Sequence, residues 1–308
     1  PVGPHMSSHS YIENSKNQEI YININGKLFH RSEAKISVFD SGFLLGDGVW
    51  EGIRLHDSKL LFIDEHLDRL FNSAKGISLN IALKKEDIIS EIKKVLIKNN
   101  MHDDVHIRLI ISRGDKITPY QNPNANVGPI NFVIIPEHKK TNPNIYKNGI
   151  TIGRVKTIRP SDNILSTHYN TLSKLNCILA SIEANKLNYD EGIMNDPFGN
   201  ISTCNSTNLF FIKNGQVWTS TGKFCLNGVT RSKALLVCDK NEIFFKETDF
   251  IFEDIENCEE AFVTGTFAGI IPVSKIEKRS LQSTDPGSLV NKIRLLYNKH
   301  IQEYINTR

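Results

Sequence analysis

Apolar and polar residues alternate along "EIYININGKLF" (19–29) around an Asn-Gly pair. A period of two broken by that dipeptide predicts a hairpin. "GVWEGIRLHDSKLLFI" (48–63) predicts a second hairpin, turning near Asp57-Ser58. The period then lengthens. "DEHLDRLFNSAKG" (64–76) places Leu67, Leu70, Phe71 and Ala74 on one stripe, with Asp64 as N-cap and Gly76 as the stop. "KKEDIISEIKKVLIKNN" (84–100) predicts another amphipathic helix, and "VHIRLIISRG" (105–114) and "INFVIIP" (130–136) predict strands. The first half is therefore α+β, with helices on a mostly antiparallel sheet.

The polar stretch "EHKKTNPNIYKNG" (137–149) is broken by Pro and Gly and predicts a linker. The expected organisation is residues 1–18 as a loose N-terminus, 19–137 as a small α/β domain, 138–149 as the linker and 150–308 as a larger α/β domain. The second half opens on a strand, "ITIGRVKTI", and continues into a long helix from about 170 to 187. Leu172, Leu175, Ile178, Leu179 and Ile182 would form its apolar stripe. Strands follow at "EGIMND", "TNLFFIKNGQVWTS" and "EEAFVTGT", with helices at 231–240 and 286–305. No G-x-G-x-x-G follows a strand, which argues against a dinucleotide-binding unit.

Composition narrows the classes. Of 308 residues, 39% are hydrophobic and 23% charged, and the net charge is +3. These are ordinary values for a globular enzyme, and no basic run points to nucleic acid. Five scattered cysteines without a C-x-x-C pair argue against a disulfide framework or a zinc site, so no metal is expected. No apolar run reaches the roughly 18 residues of a membrane span, and no charged-then-apolar leader is visible. The opening "PVGPHM" reads as a vector-derived remnant. A cytoplasmic location is the expectation.

Two turns suit an anion. "LNGVTRSKALLV" (226–237) sets Gly228, Val229 and Thr230 before a helix, whose first N–H groups lack internal partners. "VTGTFAGIIPV" (263–273) sets Gly265 and Thr266 at a strand end, where glycine permits close approach and threonine adds a donor. Arg69 flanks the stripe of its helix, about 100° from Leu70. Aimed inward, it needs a carboxylate or a phosphate.

"SGFLLGDGVWEGIRL", "FIDEHLDRLFNSAKGI", "VHIRLIISRGD", "NYDEGIMNDPFGNISTCNSTNLFFIKNGQVWTS", "LNGVTR" and "EEAFVTGTFAGIIPV" occur in one order. In that order the chain resembles the fold-type IV pyridoxal-phosphate enzymes, from about residue 20 to 300. These include branched-chain aminotransferases, D-amino-acid transaminases and aminodeoxychorismate lyase. The resemblance implies a two-domain α/β fold like that of D-amino-acid aminotransferase, a homodimer, and a cofactor at the domain interface. It also implies that Arg69, Val229, Thr230, Gly265 and Thr266 hold the cofactor phosphate. Arg108 and Trp50 match positions of the substrate pocket.

The resemblance carries departures. The family's Schiff-base lysine falls on Asn170 by the spacing of D-amino-acid transaminases, or on Tyr169 by that of branched-chain enzymes. The following asparagine is Ser173. The glutamate that keeps the pyridine nitrogen protonated falls on Thr203, and a hydroxyl does not match a carboxylate there. Leu45 stands where branched-chain enzymes have a pocket tyrosine. One lost lysine alone would suggest an engineered trap, but three departures together point to native losses.

Other groups are candidates for moving protons or forming an imine. Lys174 follows Asn170 by four residues, one turn on the expected helix, and leans toward the helix N-terminus. His106 shares a strand face with Arg108, and His168 precedes the helix. Lys156, Cys204, Ser161 and Asp162 have plainer readings as surface charge, buried thiol and turn caps. The expected function is an aminotransferase-like enzyme on an amino acid or keto acid, binding pyridoxal or pyridoxamine phosphate without a covalent link. Its rivals are an enzyme reusing the phosphate cup for another substrate, and a non-catalytic binding or regulatory paralogue.

Overall fold

The structure, a computed structural model, describes residues 7–307. The opening hexapeptide lies outside them. Two compact units emerge among the described residues, one of Ile12–Lys140 with Tyr169–Lys174, the other of residues 7–11, Thr141–His168 and 175–307.

In the first unit the hairpin around Asn25-Gly26 joins β1 (Tyr21–Ile24) to β2 (Lys27–His30), and both turn residues have positive φ. A short helix α1 (Ser41–Leu45), capped by the Asp40 side chain, leads to β3 (Gly48–His56), which turns at Asp57-Ser58 into β4 (Lys59–Leu60). Helices α2 (Ile63–Gly76) and α3 (Lys85–Lys98) follow, then β5 (Val105–Ser112) and β6 (Asn131–His138). The sheet order is β2-β1-β6-β5-β3-β4, all pairs antiparallel. One sheet face supplies Val49, Ile53, Leu55, Ile107, Leu109 and Ile134 to a core closed by α2 and α3.

Several local expectations change. Asp64 lies inside the first turn of α2, where a carboxylate favours the helix dipole, and the N-cap position is Phe62 in a left-handed conformation. Gly76 is the last helical residue. A Cβ there would meet the Tyr169 ring at 2.2 Å, so glycine makes room for that ring. Residues 14–18 are tied down: Asn17 is buried and exchanges side-chain hydrogen bonds with the His138 backbone at 2.9 and 2.8 Å.

The second unit begins inside the expected linker, which carries a helix, α4 (Asn144–Asn148). β7 (Ile150–Arg154) and α5 (Leu175–Lys186) follow, then β8 (Glu191–Asn195), β9 (Ile201–Cys204), β10 (Asn208–Lys213) and β11 (Gln216–Thr219). Next come α6 (Val229–Lys240), β12 (Phe245–Glu247), α7 (Phe252–Ile255), β13 (Glu260–Gly265), β14 (Gly269–Ile276), β15 (Arg279–Ser280) and α8 (Leu289–Asn306). The nine-stranded sheet runs β9-β8-β7-β14-β13-β10-β11-β12, with β15 on β14. β7 is parallel to both its neighbours.

α5 departs most from expectation. It starts at Leu175, five residues late, and buries Ala180 and Ala184. Leu175, Ile178, Leu179 and Ile182 are exposed, Ile178 by 50%. Small residues let the helix lie close to β8 and β7, so the bulky stripe faces outward.

Candidate functional site

In the first unit, residues 169–174 are not helical. The Trp50 N–H donates to the Asn170 carbonyl at 3.0 Å, the Leu172 N–H donates to the Gly48 carbonyl at 2.9 Å, and Thr171 bridges Val49. The segment thus pairs with the edge of β3. Asn170 is 1% exposed. Its Nδ2 donates to the Trp50 carbonyl at 2.8 Å and its backbone N–H donates to the Ser73 hydroxyl at 3.0 Å. A carbonyl only accepts, so the amide orientation is fixed. Oδ1 is buried without a hydrogen-bond partner among the described residues. Asn170 and Lys174 therefore do not share a helix face, and no helical lean carries the Lys174 amine back toward residue 170.

Antiparallel register sets Trp50 opposite Ile110, Gly52 opposite Arg108 and Arg54 opposite His106, and the same face continues through Ile135 and Glu137. This is the face turned away from α2 and α3. The Arg108 guanidinium stacks on the Trp50 ring at 3.8 Å, and Lys174 Nζ lies 5.5 Å from the same ring. Cations are attracted to the indole face. Burial pulls the Arg108 pKa down, with Glu137 and Glu51 opposing, but an arginine stays charged. His106 is buried. The site is thus aromatic and cationic, suited to a carboxylate held in a fork.

Glu51 points to the other face, fully buried among the core residues. Arg69 grips it with Nε and Nη2, each at 2.8 Å, and His66 Nδ1 lies 2.7 Å from Oε2. His66 and Arg69 are i and i+3 on α2, one above the other. Burial pushes the Glu51 carboxyl up, but the Arg69 charge and the hydrogen bonds from Arg69 and His66 prevail and hold it below the usual carboxylate range. The inward arginine has found a carboxylate, and two of its five N–H donors go to Glu51.

In the second unit, Gly228 is the N-cap of α6 and no side chain caps that end. The N–H groups of Val229 and Thr230, both buried, open the helix where its dipole favours an anion. Gly265 and Thr266 close β13, and beside them the Thr264 hydroxyl is buried without a partner among the described residues. The Thr203 hydroxyl donates to the Thr207 carbonyl at 2.7 Å. A hydroxyl has one hydrogen, so Thr203 presents only lone pairs elsewhere. Behind it, the buried Glu191 accepts from Ser206 Oγ at 2.8 Å and Thr207 Oγ1 at 2.6 Å. Burial drives its carboxyl pKa up despite these donors. Cys204 is buried and its thiol is pushed well up by burial and by Glu191, so it is inert. His168 is half-buried, 3.7 Å from Asp162.

The comparisons decide the family. The family Amino-transferase class IV matches residues 48–276. The chain is 35% identical to branched-chain-amino-acid aminotransferase-like protein 2 of Arabidopsis thaliana over 92% of its length and 51% of the relative's, so it spans about half of that protein. It is 33% identical to the putative branched-chain-amino-acid aminotransferase of Methanocaldococcus jannaschii over 89% of this chain and 93% of that one. The chain belongs to the class IV aminotransferases. In fold it is similar to an aminotransferase from Brucella abortus solved with the cofactor PLP, at TM-score 0.81, 22% identity, 92% of this chain and 99% of that one.

Within this class IV chain, the first unit brings Trp50, Arg108 and Lys174 together and keeps Arg69 on the opposite face of the sheet. Val229, Thr230, Gly265, Thr266, Thr203 and His168 belong to the second unit. Sequence reasoning missed Glu51 and His66. The signal was present: Glu51 sits between Val49 and Ile53 at an inward position of β3, where a lone charge demands a partner. Among the described residues, one group, His56, Asp103 and Asp104, brings three ligand atoms within 4.8 Å. Its carboxylates are already engaged by His56 and Arg54. Among the described residues no helix is long and apolar enough to cross a membrane.

Proposed function

We propose that this class IV aminotransferase homologue binds pyridoxal or pyridoxamine phosphate without a covalent lysine link and acts on an amino acid or keto acid by an atypical route. The observation that carries the reading is Asn170. At the position that the spacing of D-amino-acid transaminases gives to the Schiff-base lysine stands a buried amide clasped to the Trp50 carbonyl, and the alternative position, Tyr169, carries no amine either. Thr203, at the glutamate position, supports it, because its hydrogen is committed to Thr207.

In the second unit the residues fit a phosphate monoester: the uncapped start of α6 at Val229-Thr230 and the Gly265-Thr266 turn offer donors to an anion. Arg69 is carried over as a phosphate ligand by the resemblance alone. A cofactor bound by these groups would supply an electron-withdrawing ring. Arg108, stacked on Trp50, holds the substrate carboxylate, while His106, His168 and Lys174 are the groups able to move protons. The neighbour solved with PLP supports this choice of ligand. The exposed face of α5, Leu175 to Ile182, supports a second copy as partner, as the resemblance implies.

The test is equilibrium dialysis of the purified chain with each cofactor form, followed by its absorption spectrum and borohydride treatment. The expected result is saturable binding that denaturation fully reverses after reduction. Cofactor still linked to the reduced, denatured chain would overturn the noncovalent reading. Absence of binding at millimolar cofactor would overturn the choice of ligand.

A further inference from the structure

We propose that Lys139 is the reactive amine of this protein, forming an imine with the carbonyl carbon of a keto acid whose carboxylate rests on Arg108. The inference rests on the keto-acid reading above and deepens it by assigning the nucleophile.

The placement follows from the sheet. β6 pairs with β5 in a register that sets Glu137 opposite His106 and His138 opposite Val105. The ladder runs one step further, because the Lys139 N–H donates to the Asp104 carbonyl at 2.7 Å. Alternation therefore puts Lys139 on the face of Glu137, His106, Arg108 and Arg54, the face that also carries Trp50. Arg54 fixes this end. Its Nη1 donates to the Lys139 carbonyl at 3.0 Å and its Nη2 to Asp104 at 2.9 Å. The lysine is half-buried one residue past the end of β6, with Arg54 bound to its carbonyl, while the neighbouring Lys140 is exposed and lies 3.6 Å from Asp104.

The electrostatics agree with the placement. Burial pushes the Lys139 ammonium below the usual lysine range. Glu137 opposes this, and the Arg108 and Arg54 charges add to it. A desolvated lysine next to other cations is how a nucleophilic amine is made. The charged groups around it are Arg54 on β3, Asp104, His106 and Arg108 on or beside β5, and Glu137, His138 and Lys140 on or beside β6. His138 is itself pulled down by burial and by Lys16.

The step balances without an oxidant or reductant. The Nζ lone pair attacks the carbonyl carbon and the π pair moves to oxygen. Both amine protons pass in turn from nitrogen to that oxygen, first giving the carbinolamine; the carbon–oxygen bond then breaks and one water leaves as the nitrogen lone pair forms the carbon–nitrogen double bond. Arg108, four residues along the facing strand from Asp104 and on the same face, supplies the fork for the adjacent carboxylate. Trp50 behind the guanidinium limits its motion.

Pyruvate with cyanoborohydride, which reduces an imine to a stable amine, tests the assignment on the full chain. The expected product is one carboxyethyl adduct on a lysine nitrogen, mapped by peptide mass spectrometry to Lys139. Neutral amine increases about tenfold for each pH unit by which the pKa falls, so labelling should outpace surface lysines below their usual range. Lys139→Arg keeps the charge and should abolish the adduct, while Lys140→Arg should retain it. Labelling spread over surface lysines, confined to Lys174, or unchanged in Lys139→Arg overturns the proposal. Cofactor dialysis of Lys139→Arg separates the two readings. Binding like the parent's without an adduct in the parent sinks only this inference, and an adduct without cofactor binding sinks only the earlier one.

Discussion

Asn170 shows how one residue is reassigned. Its side-chain Nδ2 is bound to the Trp50 carbonyl and its backbone to Ser73 and Trp50, so it serves as a clasp for the segment docked on β3. Asn170→Lys would trade that clasp for a long cation at a buried position, and the folded chain should lose stability. If the position is the family's lysine site, the variant treated with pyridoxal phosphate and borohydride should gain the reduced cofactor at residue 170, which the parent does not. Peptide mapping decides, and an unlabelled residue 170 in a folded variant would disprove the alignment. Glu51 is the second residue of interest. Removing it leaves Arg69 and His66 without their carboxylate, and breaking a buried pair costs about 3–5 kcal/mol. Glu51→Ala should therefore unfold at markedly lower denaturant. A loss below about 1 kcal/mol would mean that solvent already screens the pair. This cluster was half legible in the sequence. The inward position of Glu51 follows from alternation, but its partners on α2 depend on how the helix crosses the sheet, which no local pattern encodes.

Among the elements, those with a strong local period were legible: both hairpins, α2, α3, α6 and α8 lie within a few residues of where the periods predict them, although the caps expected for α2 are displaced. The start of α5 was not. Leu172, Leu175 and Ile178 mimic a buried stripe, yet residues 170–172 pair with β3 through backbone contacts to Gly48 and Trp50, more than a hundred positions away in the chain. A long-range edge pairing overrides local helical spacing because it satisfies backbone groups that would otherwise be orphaned. The helix then buries its alanines. Ala180→Leu should overpack that contact and cost about 1–3 kcal/mol. Ile178→Ser, on the exposed face, should stay within about 0.5 kcal/mol in a monomer. Chemical denaturation of the two variants tests the ranking. Light scattering adds a second readout: if a second copy covers this face, Ile178→Ser weakens self-association while leaving the secondary structure intact.

At the scale of the whole molecule, two buried carboxylates pull stability in opposite directions with pH. Glu51 has a depressed folded pKa, so its contribution is present above its ordinary value near 4.5 and is lost as pH falls through the lower folded value. Glu191 has a raised folded pKa. Between its ordinary value and that higher one, the folded state holds a proton that the unfolded state has released. Its contribution is therefore greatest below about 4.5 and falls as pH climbs to the raised value. Glu51 sets the acid limb and Glu191 the opposing limb. Glu191→Gln removes the titration while leaving an oxygen to accept from Thr207 Oγ1 and an amide that the Ser206 hydroxyl can accept from after rotating. Urea midpoints measured from mildly acidic to mildly alkaline pH should thus decline in the parent and stay flatter in Glu191→Gln, with the curves diverging as pH rises. Parallel curves would show that Glu191 is ionised in the folded state as in the unfolded one, its charge supported by the hydroxyls of Ser206 and Thr207.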